Sequence, residues 1–281
     1  MGTYRLTGEL IQQFQRNLWE EERSPGTVEK YLRDLENFRT WLDKRPINRE
    51  AGTAWKSSLL ARGLSPATVN TMITALNTFF RFAGWEELRV KSLRLQRQPF
   101  RKEERELSRQ EYRRLLEAAQ KSGRTRLLLL MEAICSTGIR VSEVQYLTVE
   151  AASPGRAEIF LKGKVRTILL PTKLCRKLLR YARAQRIFSG QIFRTRRGNA
   201  IGRKQIWAEM KALCQQARVA PTKVFPHNLR HLFARCFYQE CRDLAGLADV
   251  LGHSSVETTR IYLATTAHAH ARLLEQLQLI P

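Results

Sequence analysis

Apolar residues along the first eighty positions recur at intervals of three and four, the spacing that gives a helix one sticky face. Between Leu6 and Glu22 they fall at Leu10, Ile11, Phe14 and Leu18, which predicts a first helix. A second is predicted after Ser24-Pro25-Gly26-Thr27-Val28, where a hydroxyl cap and a proline at the first helical position precede Val28, Tyr31, Leu32, Leu35, Phe38, Trp41 and Leu42. The same opening returns as Ser65-Pro66-Ala67-Thr68-Val69, followed by Met72, Ile73, Leu76, Phe79 and Phe80 on the apolar side. A shorter helix over Arg49–Ala61, closed by Gly63, fits between them. Residues 1–84 therefore read as a small four-helix domain.

The periodicity lapses between 89 and 105, where seven Lys or Arg residues surround Pro99. Residues 85–106 read as a basic interdomain linker. It is either a solvated tether or, as its charge favours, a strap along a polyanion, with Arg97, Arg101 and Lys102 as contacts. A capping box, Ser108 to Glu111, then opens a second domain over 107–262 with Tyr112, Leu115, Leu116 and Ala119 on one face. The apolar run from Leu127 to Ala133 predicts a buried helix. Ala157 to Leu170 departs from the helical pattern: two short β-prone runs flank Lys162-Gly163-Lys164-Val165-Arg166, a hairpin with a basic tip. After Tyr262, residues 263–281 carry an apolar stripe of Leu273, Leu274, Leu277, Leu279 and Ile280 that predicts a C-terminal helix.

Charge narrows the class of partner. Against 26 Asp+Glu stand 49 Lys+Arg, a formal +23 with a sequence pI near 10.6, and so large an excess has to face something anionic. Nucleic acid fits best, because a polyphosphate rewards dispersed cations through counterion release. No stretch approaches the ~18 apolar residues of a membrane span, and the N-terminus lacks the apolar core of a secretory signal, so a cytosolic protein is expected. The two Ser-Pro helix starts place Ser24, Thr27, Ser65 and Thr68 where a phosphate can be held, although ordinary capping explains them equally well. Five cysteines without CxxC spacing predict reduced, largely buried thiols, and His268 and His270 lack the neighbours of a metal site.

Three clusters carry chemistry. In Ser136-Thr137-Gly138-Ile139-Arg140-Val141-Ser142-Glu143 a glycine turn precedes an arginine, and Glu143, three residues on, is placed to orient the guanidinium or its backbone. In Pro226-His227-Asn228-Leu229-Arg230-His231, His227 and Arg230 share a helix face expected to reach outward while Leu229, Leu232, Phe233 and Phe237 pack. Alone this is equally a solvated face in an arginine-rich chain. In Leu251-Gly252-His253 through Arg260-Ile261-Tyr262, Gly252 reads as a helix stop and Ser255 as the next cap, which brings His253 and Tyr262 to one locale.

Taken together, Arg140, the basic hairpin, His227-x-x-Arg230, Leu-Gly-His253 and Tyr262 nine residues later resemble the tyrosine recombinase (phage integrase) family, in the style of its Xer-like members. The resemblance implies a mainly α, two-domain C-shaped clamp: a helical, SAM-like core-binding domain and an α+β catalytic domain with a small hairpin. It makes Tyr262 the nucleophile that forms a 3′-phosphotyrosyl link, Arg140 and Arg230 the phosphate clamps, His227 the acid–base residue and His253 a second donor to the phosphate. Lys162 becomes the acid for the leaving 5′ oxygen; the turn is about one residue shorter than the family's Lys-Gly-x-x-x-Arg pattern, so Lys164 stays an alternative. Glu143 is a supporting residue, and Lys164 and Arg166 are DNA contacts. The implied partners are double-stranded DNA with paired inverted half-sites, three further copies of the chain in a homotetramer on two duplexes (a dimer per site), and optionally an accessory directionality factor. Neither metal nor other cofactor is implied. Type IB topoisomerase activity by a lone subunit, or DNA binding without catalysis, are the competing readings.

Overall fold

The computed structural model describes residues 4–95, 105–161, 164–195, 197–262 and 275–276, with backbone only at Leu161 and Lys164. Arg97, Arg101, Lys102, Lys162 and the whole of the C-terminal apolar stripe lie outside the described residues. The chain divides into two compact units, Met1–Arg97 and Gln98–Pro281.

Unit 1 contains the four expected helices, α1 (Gly8–Glu20), α2 (Pro25–Leu42), α3 (Arg49–Ala61) and α4 (Pro66–Phe82). Thr7 caps α1 by accepting from the Leu10 N–H, and Pro25 and Pro66 stand in the first turns of α2 and α4, where a missing N–H has no helical partner to lose. The apolar faces meet in an aromatic core: Phe14 packs edge-on to Phe79 with ring centres 5.4 Å apart, and Phe38 lies 4.9 Å from Trp55.

This unit runs past residue 84. A 3-10 turn, Glu86–Leu88, follows α4, and Leu88 and Val90 are buried in the same core. Two amides on α4, one heptad apart, then clamp the departing chain as a β-strand neighbour would. Asn77 accepts from the Val90 N–H and donates to the Val90 carbonyl, each at 2.9 Å; Asn70 does the same for Leu93 at 2.7 and 2.9 Å. Gly52 on α3 leaves room for the Val90 side chain, where a Cβ would collide. The basic linker expected over 85–106 is therefore shorter, because its first part is pinned by side-chain amides that leave no mark in an apolar period.

Unit 2 is built around α6 (Thr125–Thr137), which buries Leu127, Leu129, Leu130, Met131, Ala133 and Ile134. Before it comes α5 (Arg109–Lys121), opened by the predicted capping box. After it come a 3-10 helix (Val141–Tyr146), α7 (Val149–Ala152), the antiparallel strands β1 (Arg156–Leu161) and β2 (Lys164–Leu169), α8 (Thr172–Ala184), α9 (Arg203–Lys211), α10 (Cys214–Ala217), a 3-10 turn (Pro221–Lys223), α11 (Pro226–Cys241), α12 (Leu244–Leu251) and α13 (Val256–Arg260). The hairpin pairs Arg156 with Leu169 through to Leu161 with Lys164. Ala157, Ile159 and Ile168 face the core, whereas Phe160, Val165 and Leu169 face out, the two-residue alternation of a strand. All five cysteines are free thiols; Cys175 and Cys214 are buried but Cys241, the last residue of α11, is exposed, contrary to the expectation that they would be largely buried. Among the described residues no helix is long and apolar enough to cross a membrane, and no group of three His, Cys, Asp or Glu could hold a metal ion.

The amide clamp gives a first test. Asn77→Ala removes both half-buried hydrogen bonds to Val90 and should lower stability by about 1–3 kcal/mol, read as a reduced melting temperature. An unchanged melting temperature would show that the clamp contributes nothing.

Candidate active site

The three clusters converge because two helices end on glycine at the same place. α6 stops at Gly138, whose φ of +67° is the left-handed conformation that glycine adopts without strain, and a Cβ there would lie 2.5 Å from the Phe233 ring. The turn delivers Arg140 to the N-cap of the 3-10 helix. Glu143, almost fully buried, accepts from the Arg140 backbone N–H through Oε2 (2.7 Å) and from Arg140 Nη1 through Oε1 (2.9 Å), so it orients both the guanidinium and its backbone. Arg166 on β2 donates to the same Oε2 at 2.6 Å.

Arg230 was expected on an outward-reaching helix face and is instead among the most buried side chains, 1% exposed. Both faces of α11 are covered, one by the apolar core and the other by the ends of α6 and α12. Its Nη1 donates to the Gly138 carbonyl and its Nη2 to the Leu251 carbonyl at 2.8 Å. These are carbonyls that helix termini leave without partners, and each sits at the negative end of a helix dipole. The ion pairs among the described residues include none with Arg230. Burial holds its guanidinium below the ordinary arginine value. Among the described residues of the pocket, the three guanidinium groups of Arg140, Arg166 and Arg230 thus stand against one carboxylate, Glu143, an excess of two positive charges.

Around this cation stand the remaining predicted residues. Tyr262, 3% exposed, receives a hydrogen bond from Arg230 Nε at 3.3 Å. His253 stacks on the Tyr262 ring, 5.5 Å between centres at 14°, and its Nε2 lies 2.9 Å from Arg230 Nη2. A guanidinium can only donate, so Nε2 accepts and the imidazole proton sits on Nδ1, which donates to Thr259 Oγ1 at 2.8 Å. Burial first, then the Arg230, Arg140 and Arg166 cations and His227, push His253 down to about 4, so it is neutral at neutral pH. His227 is exposed at the start of α11, its ring 5.8 Å from that of Tyr262.

Two members of the pocket escaped the sequence reading. His231, buried, lies with its ring centre 4.4 Å from Tyr262 and 4.5 Å from His227, and so forms one wall of the tyrosine's seat. Thr259, fully buried, accepts the Nδ1 proton of the His253 tautomer that Arg230 selects. His231 directly follows Arg230, a visible hint; nothing in the spacing marks Thr259. Lys164 begins β2, while Lys162 is outside the described residues. Arg166 points into the pocket, 17% exposed, rather than outward from the hairpin. In unit 1, Ser65 caps α4 by accepting from the Thr68 N–H, whereas Ser24 makes no such cap and meets the Thr27 hydroxyl at 2.8 Å.

With this geometry in place, comparison with known proteins is decisive. Residues 105–268 match the model of the phage integrase family, and residues 11–87 that of the phage integrase N-terminal SAM-like domain. The chain belongs to the phage integrase family. Among its relatives, the tyrosine recombinase XerA of Pyrococcus furiosus is 30% identical over 98% of this chain and 96% of its own length, and the tyrosine recombinase XerD of Pseudomonas aeruginosa is 30% identical over 94% of each. Among solved structures, a lambda integrase dimer bound to a COC′ core site shares the fold with a TM-score of 0.73, at 17% identity over 92% of this chain and 77% of that one. The XerH recombinase bound to a difH substrate gives 0.70, at 21% identity over 95% and 84%. The mainly helical, SAM-like plus integrase architecture expected from the sequence is thereby shown, and with it membership among the tyrosine recombinases.

The histidine's low value has a measurable consequence. His253 is held at about 4 by burial and surrounding cations, and an anion entering the pocket would offset those cations and raise it. Between about 4 and the ordinary histidine value of 6.5, DNA binding should therefore take up a proton, and His253→Asn should abolish the uptake. Calorimetry in buffers of differing ionisation enthalpy reads this directly, and equal uptake by wild type and variant would refute it.

Proposed function

We propose that the pocket cleaves and rejoins DNA strands through Tyr262, and that the chain is a site-specific recombinase acting by this route. The observation that carries the reading is the Tyr262 hydroxyl resting on Arg230, a buried guanidinium with no carboxylate partner among the described residues, beside Arg140 and His253. A scissile phosphate is the anion that such a site lacks. Preorganised donors aimed at a phosphorane in a water-poor pocket stabilise it far more than they would in water.

In this scheme the Tyr262 oxygen attacks phosphorus, its proton passes to His227, and the bond to the 5′ oxygen breaks as Lys162 protonates it. The product is a 3′-phosphotyrosyl link and a free 5′ hydroxyl. Arg140 and Arg230 hold the non-bridging oxygens, with His253 as a further donor. The 5′ hydroxyl of a partner strand then attacks the phosphotyrosine and releases Tyr262. Because one phosphodiester is exchanged for another, no ATP is consumed, and two rounds pass through a Holliday junction.

Strand exchange between duplexes calls for four such sites: a dimer on each pair of inverted half-sites and a homotetramer on two duplexes. A lambda integrase tetramer bound to a Holliday junction is among the structures that share this fold, with a TM-score of 0.72 at 18% identity. The apolar stripe Leu273, Leu274, Leu277, Leu279 and Ile280 supports exchange of the C-terminal tail between copies. The formal +23 supports broad contact with the DNA backbone, to which the basic residues between the two units and the Ser24 and Ser65 helix starts contribute. An accessory directionality factor would add to these partners.

Tyr262→Phe should bind its DNA site with unchanged affinity yet form no covalent adduct on a nicked suicide duplex; adduct at wild-type level would overturn the proposal. For the acid, a 5′-bridging phosphorothiolate, whose thiolate leaves without protonation, should restore cleavage to Lys162→Ala. Restoration of Lys164→Ala instead would transfer the role to Lys164.

A further inference from the structure

Arg166 stands apart from the other basic residues of the hairpin. It shares strand parity with buried Ile168, whereas its neighbours Val165 and Thr167 are exposed. Its side chain therefore runs inward, and three features of the pocket meet on it. Nη2 donates to Glu143 Oε2 at 2.6 Å; Nη1 reaches the Val250 carbonyl at 3.4 Å; and the side chain lies flat against Gly252, where a Cβ would overlap both its Cδ and its guanidinium. Gly252 (φ +62°) thus serves two ends, the left-handed stop of α12 and the close approach of Arg166.

Arg140 uses the same two anchors. Its Nη1 is held by Glu143 Oε1 and its Nη2 lies 3.4 Å from the Gly252 carbonyl. Glu143 and the Val250–Gly252 turn are therefore shared between the two arginines, in a closed ring from Arg140 through Glu143 and Arg166 to the end of α12 and back. The next residue after that turn is His253. A planar guanidinium has the two diverging donors that this ring needs, and a lysine ammonium, with one point of charge on a flexible stem, cannot fix both directions.

We infer that Arg166 is a positioning residue for strand cleavage: it holds Glu143, and through it the Arg140 guanidinium, in register with the turn that presents His253. The inference rests on the proposed cleavage by Tyr262. It also replaces the expectation that Arg166 is a backbone contact on the DNA surface. The hairpin strand that follows the basic tip is thereby tied to the phosphate clamp by a single side chain, so displacement of β2 is felt at Arg140.

The test uses the full-length chain and the suicide duplex on which wild type forms its adduct. Arg166→Gln should slow single-turnover adduct formation at saturating DNA by about 100-fold, as expected for a misplaced reacting group, while its Kd and the salt dependence of binding stay as in wild type. Combined with Glu143→Gln, it should lose little beyond the worse single variant, since both break one ring. Arg166→Lys, which keeps the charge, should remain slow, and supplies the same readout if Arg166→Gln does not fold. A wild-type cleavage rate for Arg166→Gln would overturn the inference. So would fully additive losses, or weaker binding with a salt slope reduced by about one and cleavage retained, the behaviour of a phosphate contact. Absence of a Tyr262 adduct in wild type would instead remove the underlying reading, a distinct result.

Discussion

A buried guanidinium held by carbonyls governs this site. Arg230 is withdrawn from water at a penalty on the order of several kcal/mol, and among the described residues no carboxylate pairs with it. What holds it are the carbonyls of Gly138 and Leu251, the spent ends of α6 and α12. Those two helices must therefore stop where they do, on glycines with left-handed backbones, for the cation to be housed at all. Once it is housed, the remaining groups follow. Tyr262 accepts from one edge, His253 from another, and the residues that support them, His231 and Thr259, fill the space behind.

The excess charge also sets how the groups of the pocket pair with one another. His253 is kept neutral by burial among cations, and its accepting nitrogen faces Arg230, so the Arg230 donors are engaged by His253, by the Tyr262 hydroxyl and by helix carbonyls. In the proposed reaction an incoming phosphate would compete for those donors. In the proposed reaction the same field would favour the phosphorane dianion over the monoanionic phosphodiester, which is the difference catalysis requires. Glu143 offsets part of the charge and serves as the fixed point from which Arg140 and Arg166 are aimed.

Local features were legible in the sequence wherever the information was local. The Ser65-Pro66 helix start, the Ser108–Glu111 capping box, the Gly138 turn, the Gly252 stop and the pair of β-prone runs that make the hairpin are each written within a few positions, and the structure carries them as read, whereas the cap expected of Ser24 is not made. The residues Arg140, His227, Arg230, His253 and Tyr262 do meet in one pocket. What escaped depends on pairs distant in the chain. Nothing in the α11 pattern says that Arg230 would be covered by carbonyls 92 and 21 residues away, nor that Asn77 would hold Val90. Thr259 carries no mark in the sequence until His253 is seen to need an acceptor. Arg166 is the instructive case, because its charge suggested the DNA surface while its parity with Ile168 placed it inward.

The proposed chemistry requires Tyr262 to become joined to DNA. Of the seven tyrosines, Tyr262 alone lies in the tryptic peptide spanning residues 261–272. Trapping the adduct on a suicide duplex, digesting it with nuclease and trypsin, and sequencing the modified peptide by mass spectrometry reads the attachment residue directly. A 3′-phosphonucleotide on Tyr262 is the result this structure predicts. Attachment at any other tyrosine, or at a serine, would contradict it.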